Sequence, residues 1–217
     1  GVILSTLHQS ALGALFLMAP GKVHPLWYSA FIPVFFFISS IVGGFCMVIA
    51  VSTVVSRYLR ERTDQTFRES LDGLTVGLGK GACIAYFVYF FLRVIGVAHD
   101  DNWALLATPY GLWFLVEVVL FILVPCLVLT VGVKRNSARI VRIGAFHAVA
   151  GIILTRINVS IIAFNWNLPG HLHHIVPPVR EVFIVLAVAT IHILLFRWIL
   201  NRMPVVSEHP DYVGDSH

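Results

Sequence analysis

The chain alternates between long apolar runs and short polar breaks. The runs cover about residues 1–19, 32–56, 71–97, 109–133, 139–164 and 179–202. Each later run holds roughly 20–27 residues, enough at ~1.5 Å rise per residue to cross ~30 Å of hydrocarbon with some tilt. The pattern predicts an all-α fold, a polytopic transmembrane helix bundle of about six spans. The spans make one domain over residues 1–204, followed by a flexible cytoplasmic tail at 205–217. No internal repeat or low-complexity tract divides it. The opening residues, Val2 to His8, already read as membrane helix, without the basic region or cleavage site of a signal peptide. An upstream portion that is cleaved, separately encoded or missing is therefore expected.

Composition agrees. The 217 residues are 58% hydrophobic and only 12% charged, with a mean hydropathy of +0.87. Soluble domains carry about 25% charged residues. A secreted disulfide scaffold, a disordered regulator and a soluble nucleotide-binding enzyme are excluded. The net charge of +4 does not point to nucleic acid, because the basic residues are sorted by side. Arg57, Arg60, Arg62, Arg68, Lys134, Arg135, Arg139, Arg142 and Arg202 fall in one set of loops; Lys22 stands alone in the other. This asymmetry predicts that the basic side, and with it the C-terminus, is cytoplasmic. Cys46, Cys83 and Cys126 lie inside apolar runs and are too widely spaced to hold an iron–sulfur cluster or zinc by themselves. They read as small buried hydrophobes.

The opposite side receives the distinctive loops. They are Gly21 to Tyr28, His99 to Trp103, and Asn165 to His174, and five of the ten histidines lie there. Trp27, Tyr28, Trp103, Tyr110, Trp113 and Trp166 fit an interfacial aromatic belt. The group His171, His173 and His174 has no carboxylate close in sequence, so no metal site is assigned.

Ionisable groups within hydrocarbon cost ~2.5–3.5 kcal/mol each on insertion scales and mark function by default. Here they are His8, Lys80, Arg93, Glu117, His147, Arg156, Glu181, His192 and Arg197. Glu117 is too short to reach water and needs an arginine partner or a proton, with Arg93 and Arg156 as candidate partners. It reads either as half of a structural ion pair or as a station on a proton path. Arg156 and Ser160 share a helix face at i+4, Glu181 and His192 could line one polar track, and Tyr86, Tyr89 and Arg93 another. Gly73, Gly77 and Gly81 form a small-residue ridge for close helix approach. A haem would need axial histidines at matched depth, for which His147 and His192 are the thinkable pair.

The run His8-Gln9-Ser10-Ala11-Leu12-Gly13, followed by Lys22-Val23-His24-Pro25-Leu26-Trp27, resembles the NrfD/PsrC-like family of membrane subunits. Within that family it is most similar to the HybB-type subunits of quinone-linked nickel–iron hydrogenases. Supporting matches are Trp113 to Glu117, Arg156 to Ser160 with Ala163-Phe164-Asn165, and Pro177 to Glu181. The resemblance covers essentially the whole chain. It implies the later half of a two-bundle protein, with the missing upstream helices or another membrane subunit beside it. The location implied is a bacterial or archaeal cytoplasmic membrane, crossed in several passes.

The resemblance also implies a quinone-reactive anchor for an extracytoplasmic ferredoxin-like iron–sulfur subunit. A hydrogenase, multihaem cytochrome or other catalytic subunit stands beyond that partner. Menaquinone is then the transient cofactor, with no haem or cluster in this chain and no catalytic residue of its own. His8, Arg93, Glu117, Arg156, Glu181 and His192 are the candidates for a proton path or buried ion-pair core. His24, Tyr28, His99, His171 and His173 are the candidates for quinone-headgroup or partner contact. A non-catalytic anchor, a transporter or proton-channel half and a haem b cytochrome are the alternatives.

Overall fold

A computed structural model describes residues 2–58, 65–169 and 179–202. At 2, 3, 5, 65–69, 181, 200 and 201 only the backbone is described. The expected tail, and His171, His173 and His174, lie outside the described residues. Every regular element among them is helical: α1 (Val2–Leu17), α2 (Ile32–Tyr58), α3 (Gln65–His99), α4 (Pro109–Lys134), α5 (Ala138–Ala163) and α6 (Val179–Arg202), with a short 3-10 segment at Asn102–Ala107. Five of the six are long and apolar enough to cross a membrane. The sixth, α1, holds 16 of the described residues. Of the six expected spans, five are thus of crossing length among the described residues.

Helices α2 to α5 pack as a four-helix bundle, and α1 lies along α2. Gly13 permits that approach: a Cβ there would stand 3.0 Å from the Ile32 carbonyl and Phe36. The α6 window Val182–Ile199 has no residue buried within this chain. Aromatic residues and loops gather at one end of the bundle, called here the aromatic end. The basic end holds Arg57, Lys134, Arg135, Arg139 and Arg142.

The helix ends follow local chemistry. Thr108 caps α4, its hydroxyl accepting from the Gly111 N–H at 3.1 Å, with Pro109 in the first turn. At the basic end α4 stops in a Schellman turn. The Ser137 N–H donates to Gly132 and the Asn136 N–H to Val133, with Asn136 at φ 48°.

Two wide π turns decide which side chains face inward. Val119–Leu123 precedes Pro125, which has no N–H to offer the Phe121 carbonyl four residues back. The Tyr86 hydroxyl, buried at the bundle centre, lies 3.3 Å from that carbonyl and 3.3 Å from Ala148's. One phenolic proton serves one of them at a time. The second π turn, Asn158–Ala163, ends α5. It leaves Asn158 fully buried and Ser160 exposed, so Ser160 does not share the surroundings of Arg156 as α-helical spacing predicts.

The expected glycine ridge is also displaced. Gly73 and Gly77 have open space around them, whereas Gly79 takes the close approach, with Val141 2.7 Å from a built Cβ. Gly81 meets the Phe45 ring at 3.2 Å. The α4–α5 contact is tightest at Gly151, where a Cβ would stand 2.5 Å from the Phe121 carbonyl. Gly151→Ala is therefore expected to cost about 1–3 kcal/mol through overpacking. Its readout is a lower thermal midpoint of the detergent-purified protein, with Gly77→Ala as the silent comparison.

Candidate functional site

The site begins with Glu117, eight residues into α4 and about 12 Å from its aromatic end at ~1.5 Å per residue. Its side chain is fully buried. Three donors from three other segments converge on it. Arg93 of α3 donates from Nη2 to Oε1 at 3.2 Å. Trp27 of the 18–31 loop donates its indole N–H to Oε2 at 2.8 Å, and Asn158 of α5 donates to the same oxygen at 2.6 Å. The Asn158 side-chain oxygen accepts from the Trp113 indole at 3.2 Å. The ion pair thus forms with Arg93, not with Arg156. The Arg93 guanidinium is held between Phe114, at 4.8 Å, and Phe35, at 5.5 Å. Its Nε has no hydrogen-bond partner among the described residues.

The 18–31 loop is a roof on this pair. Val23, His24, Leu26 and Trp27 are all buried. The His24 N–H donates to the Ala163 carbonyl at 2.8 Å, anchoring the loop to the end of α5. Asn102 donates to Pro25 and Asn167 to Gly21, so all the described aromatic-end segments are tied to it. The His24 ring packs against Tyr110, Trp166 and Trp27 with centroids 4.9–5.5 Å apart. Trp27 is consequently a core residue rather than a member of the predicted interfacial belt. Trp113 is half in contact with Asn158, and Trp103 remains exposed.

The remaining predicted residues are scattered. Tyr28 is a half-buried member of the roof. His99 is exposed, 3.6 Å from Asp100, with its ring against Phe31. His8 is exposed on α1. His192 is exposed on α6, its Nδ1 2.8 Å from its own helix's Val188 carbonyl. The side chain of Glu181 lies outside the described residues. Among the described side chains of the proposed proton-path set, Arg93 and Glu117 are the pair brought together. Tyr86, Tyr89 and Arg93 do share one buried face, as spaced.

Arg156 stands apart on the other side of α5. It donates from Nη2 to the Ser39 hydroxyl at 2.9 Å and to the Phe36 carbonyl at 3.3 Å, with its guanidinium 3.6 Å from the Phe36 ring centroid. No described carboxylate lies in salt-bridge range of it.

His147 and His192, the expected axial pair, are not brought together to hold a haem. His147 is half-buried with its ring edge-on to Phe121, whereas His192 sits on the exposed surface of α6, a helix that does not pack beside α5. Among the described residues, no three His, Cys, Asp or Glu side chains converge to hold a metal ion. Trp27, Asn158 and the roof were not legible as Glu117 partners. The His24-Pro25-Leu26-Trp27 motif singled out the loop, but nothing in its spacing to residue 117 shows that it folds inward.

Two measurements follow. Glu117→Ala would leave Arg93 buried without its counter-charge, a loss of about 3–5 kcal/mol. Glu117→Leu combined with Arg93→Leu should cost less than the sum of the single changes, as read from a double-mutant cycle on thermal or denaturant unfolding. The second concerns pH. Burial pushes the His24 imidazole below its ordinary value of 6.5, and its Nδ1 accepts from the Leu26 N–H at 3.2 Å. Just below pH 6.5 the unfolded chain binds more protons than the folded one, so stability rises with pH through that window and falls as pH drops. Acidification should therefore loosen the roof, seen as a red shift of tryptophan emission that His24→Gln suppresses.

With the geometry in view, comparisons with known proteins become informative. A family model described as "Polysulphide reductase, NrfD" matches residues 1–165. A protein of Nitratidesulfovibrio vulgaris is 45% identical over the whole chain, which covers 55% of that protein. The "Probable Ni/Fe-hydrogenase 2 b-type cytochrome subunit" of Escherichia coli is 29% identical over 95% of the chain, covering 51% of its own length. The chain spans about half the length of these curated relatives. No solved structure matches. The matched family, the five helices able to cross a bilayer and the sealed polar core agree: the chain belongs to the NrfD family and is a multi-pass membrane protein.

Proposed function

We propose that this chain is the quinone-linked part of a respiratory oxidoreductase's membrane subunit. It anchors an extracytoplasmic iron–sulfur or catalytic module and passes that module's electrons to or from the menaquinone pool. The observation that supports this best is the sealed Glu117–Arg93 pair under a folded roof at the aromatic end, in a chain of this family. A carboxylate kept from water and fixed by three donors is costly to build. Its position gives that end a rigid floor against which a partner can dock. In this reading the basic end is cytoplasmic, by the positive-inside bias.

Quinone reduction takes up two electrons and two protons. The carbonyl oxygens need donors, and the site needs a proton supply. The electron carriers are assigned to partner subunits; Cys46, Cys83 and Cys126 are free thiols buried or half-buried among helices, with Cys126 Sγ 4.0 Å from the Cys83 carbonyl. Menaquinone, when bound, supplies the redox chemistry. This chain's residues bind, orient and exclude water. Glu117 and Arg93 act as positioning residues that hold Trp27 and Asn158, and so the roof, in place.

The test uses the intact parent complex. Glu117→Gln should lower electron transfer to a menaquinone analogue several-fold while leaving the catalytic partner's dye-linked activity unchanged. Unchanged quinone-linked turnover in a complex lacking this chain altogether would overturn the reading. Loss of dye-linked activity to the same degree would favour the non-catalytic anchor.

A further inference from the structure

A second polar centre lies outside the Glu117 network. A cleft of about 810 Å³ runs between α1 and α2, floored by Leu78 of α3 and by Ile152 and Arg156 of α5. That volume lies within the range of small-molecule sites, about 300–1,000 Å³. Its polar lining is Arg156, bonded to Ser39, together with Ser40, Gln9 and Thr6. Ile41, Phe45 and Val48 supply an apolar strip along α2. Exposed Gly44 and Val48 open it sideways from the bundle.

Arg156 makes this cleft unusual. Both of its hydrogen bonds leave from Nη2, so Nε–H and the two Nη1 protons have no protein acceptor among the described residues. Stacking on Phe36 fixes the guanidinium plane. A cation at this depth is expensive without an acceptor. Arg156 is seven residues from the end of α5 and Ser39 seven from the start of α2, each about 10 Å along the helix axis at ~1.5 Å per residue. A phospholipid phosphate rides at the headgroup level, above such a depth. A neutral ring bearing carbonyl acceptors and an isoprenoid tail suits both the donors and the apolar strip.

We propose that the Arg156 cleft binds the headgroup of an isoprenoid quinone, with one carbonyl oxygen accepting from Arg156 and its tail lying along Ile41 to Val48. This rests on the quinone-linked reading above and adds the location of a site.

The experiment is photoaffinity labelling of the intact complex in lipid nanodiscs with an azido-naphthoquinone carrying an isoprenoid tail, mapped by mass spectrometry. Labels on the Ser39–Val48 segment or at Gln9, competed by menaquinone and not by phosphatidylglycerol, are expected. Arg156→Gln should reduce that labelling by about tenfold or more, the loss of a charge-assisted donor. Gly44 has open space where a Cβ would go, so Gly44→Leu should fill the cleft without disturbing the fold and abolish the labels. Three outcomes overturn the inference. Competable labels elsewhere in the complex would leave the quinone reading standing and remove this cleft from it. Competition by phosphatidylglycerol would make it a lipid site. Absence of any competable label would sink both.

Discussion

One constraint organises this molecule: the opposite charges of a carboxylate and a guanidinium buried among hydrocarbon must be met from within the bundle. Glu117 and Arg93 meet it by drawing donors and ring faces from five segments, α2, α3, α4, α5 and the 18–31 loop. Each element therefore has a fixed register relative to the others. The π turn at Asn158 is part of the same solution, because it leaves Asn158 fully buried at the carboxylate. So is the cap at Thr108, which sets where α4 starts and hence the depth of Glu117.

A second satisfaction problem sits nearer the bundle centre. Pro125 strips the Phe121 carbonyl of its usual partner, and Tyr86 approaches to supply one. Gly151 is the condition for that geometry, since any Cβ would press on the same carbonyl. Backbone groups have no water to turn to at this depth, so a proline inside a span recruits its own remedy from a neighbouring helix. The two polar centres, Glu117 with Arg93 and Arg156 with Ser39, are thereby held on different faces of a rigid bundle. One is sealed and the other opens onto a cleft. That difference is the ground on which a positioning role is proposed for the one and a binding role for the other, although their residues look equivalent as intramembrane charges.

Much of this was legible beforehand. Apolar run length gave the helices to within a few residues, because hydrocarbon thickness sets a minimum that few soluble elements share. The cost of charge in lipid singled out Glu117, Arg93 and Arg156. Periodicity placed Tyr86, Tyr89 and Arg93 on one face, and the helix stays regular there. The same reasoning failed where regularity fails. Ser160 follows Arg156 by four residues, yet the π turn carries it away. Gly73 and Gly77 have the spacing of a packing ridge, but the neighbouring helix approaches at Gly79.

The sequence alone determined the class of the protein, a helical membrane bundle with its basic residues on one side, since bulk hydrophobicity and charge sorting depend on composition and order only. It also determined which charges lie in the wrong solvent. The tertiary structure decided their partners. Arg93 rather than Arg156 meets Glu117 because helix rotation and depth, set by packing of whole elements, choose between them. Trp27 reads as an interfacial anchor by type and position. It became the roof's hydrogen-bond donor only because the 18–31 loop folds inward, through contacts that span 90 residues of chain to Glu117.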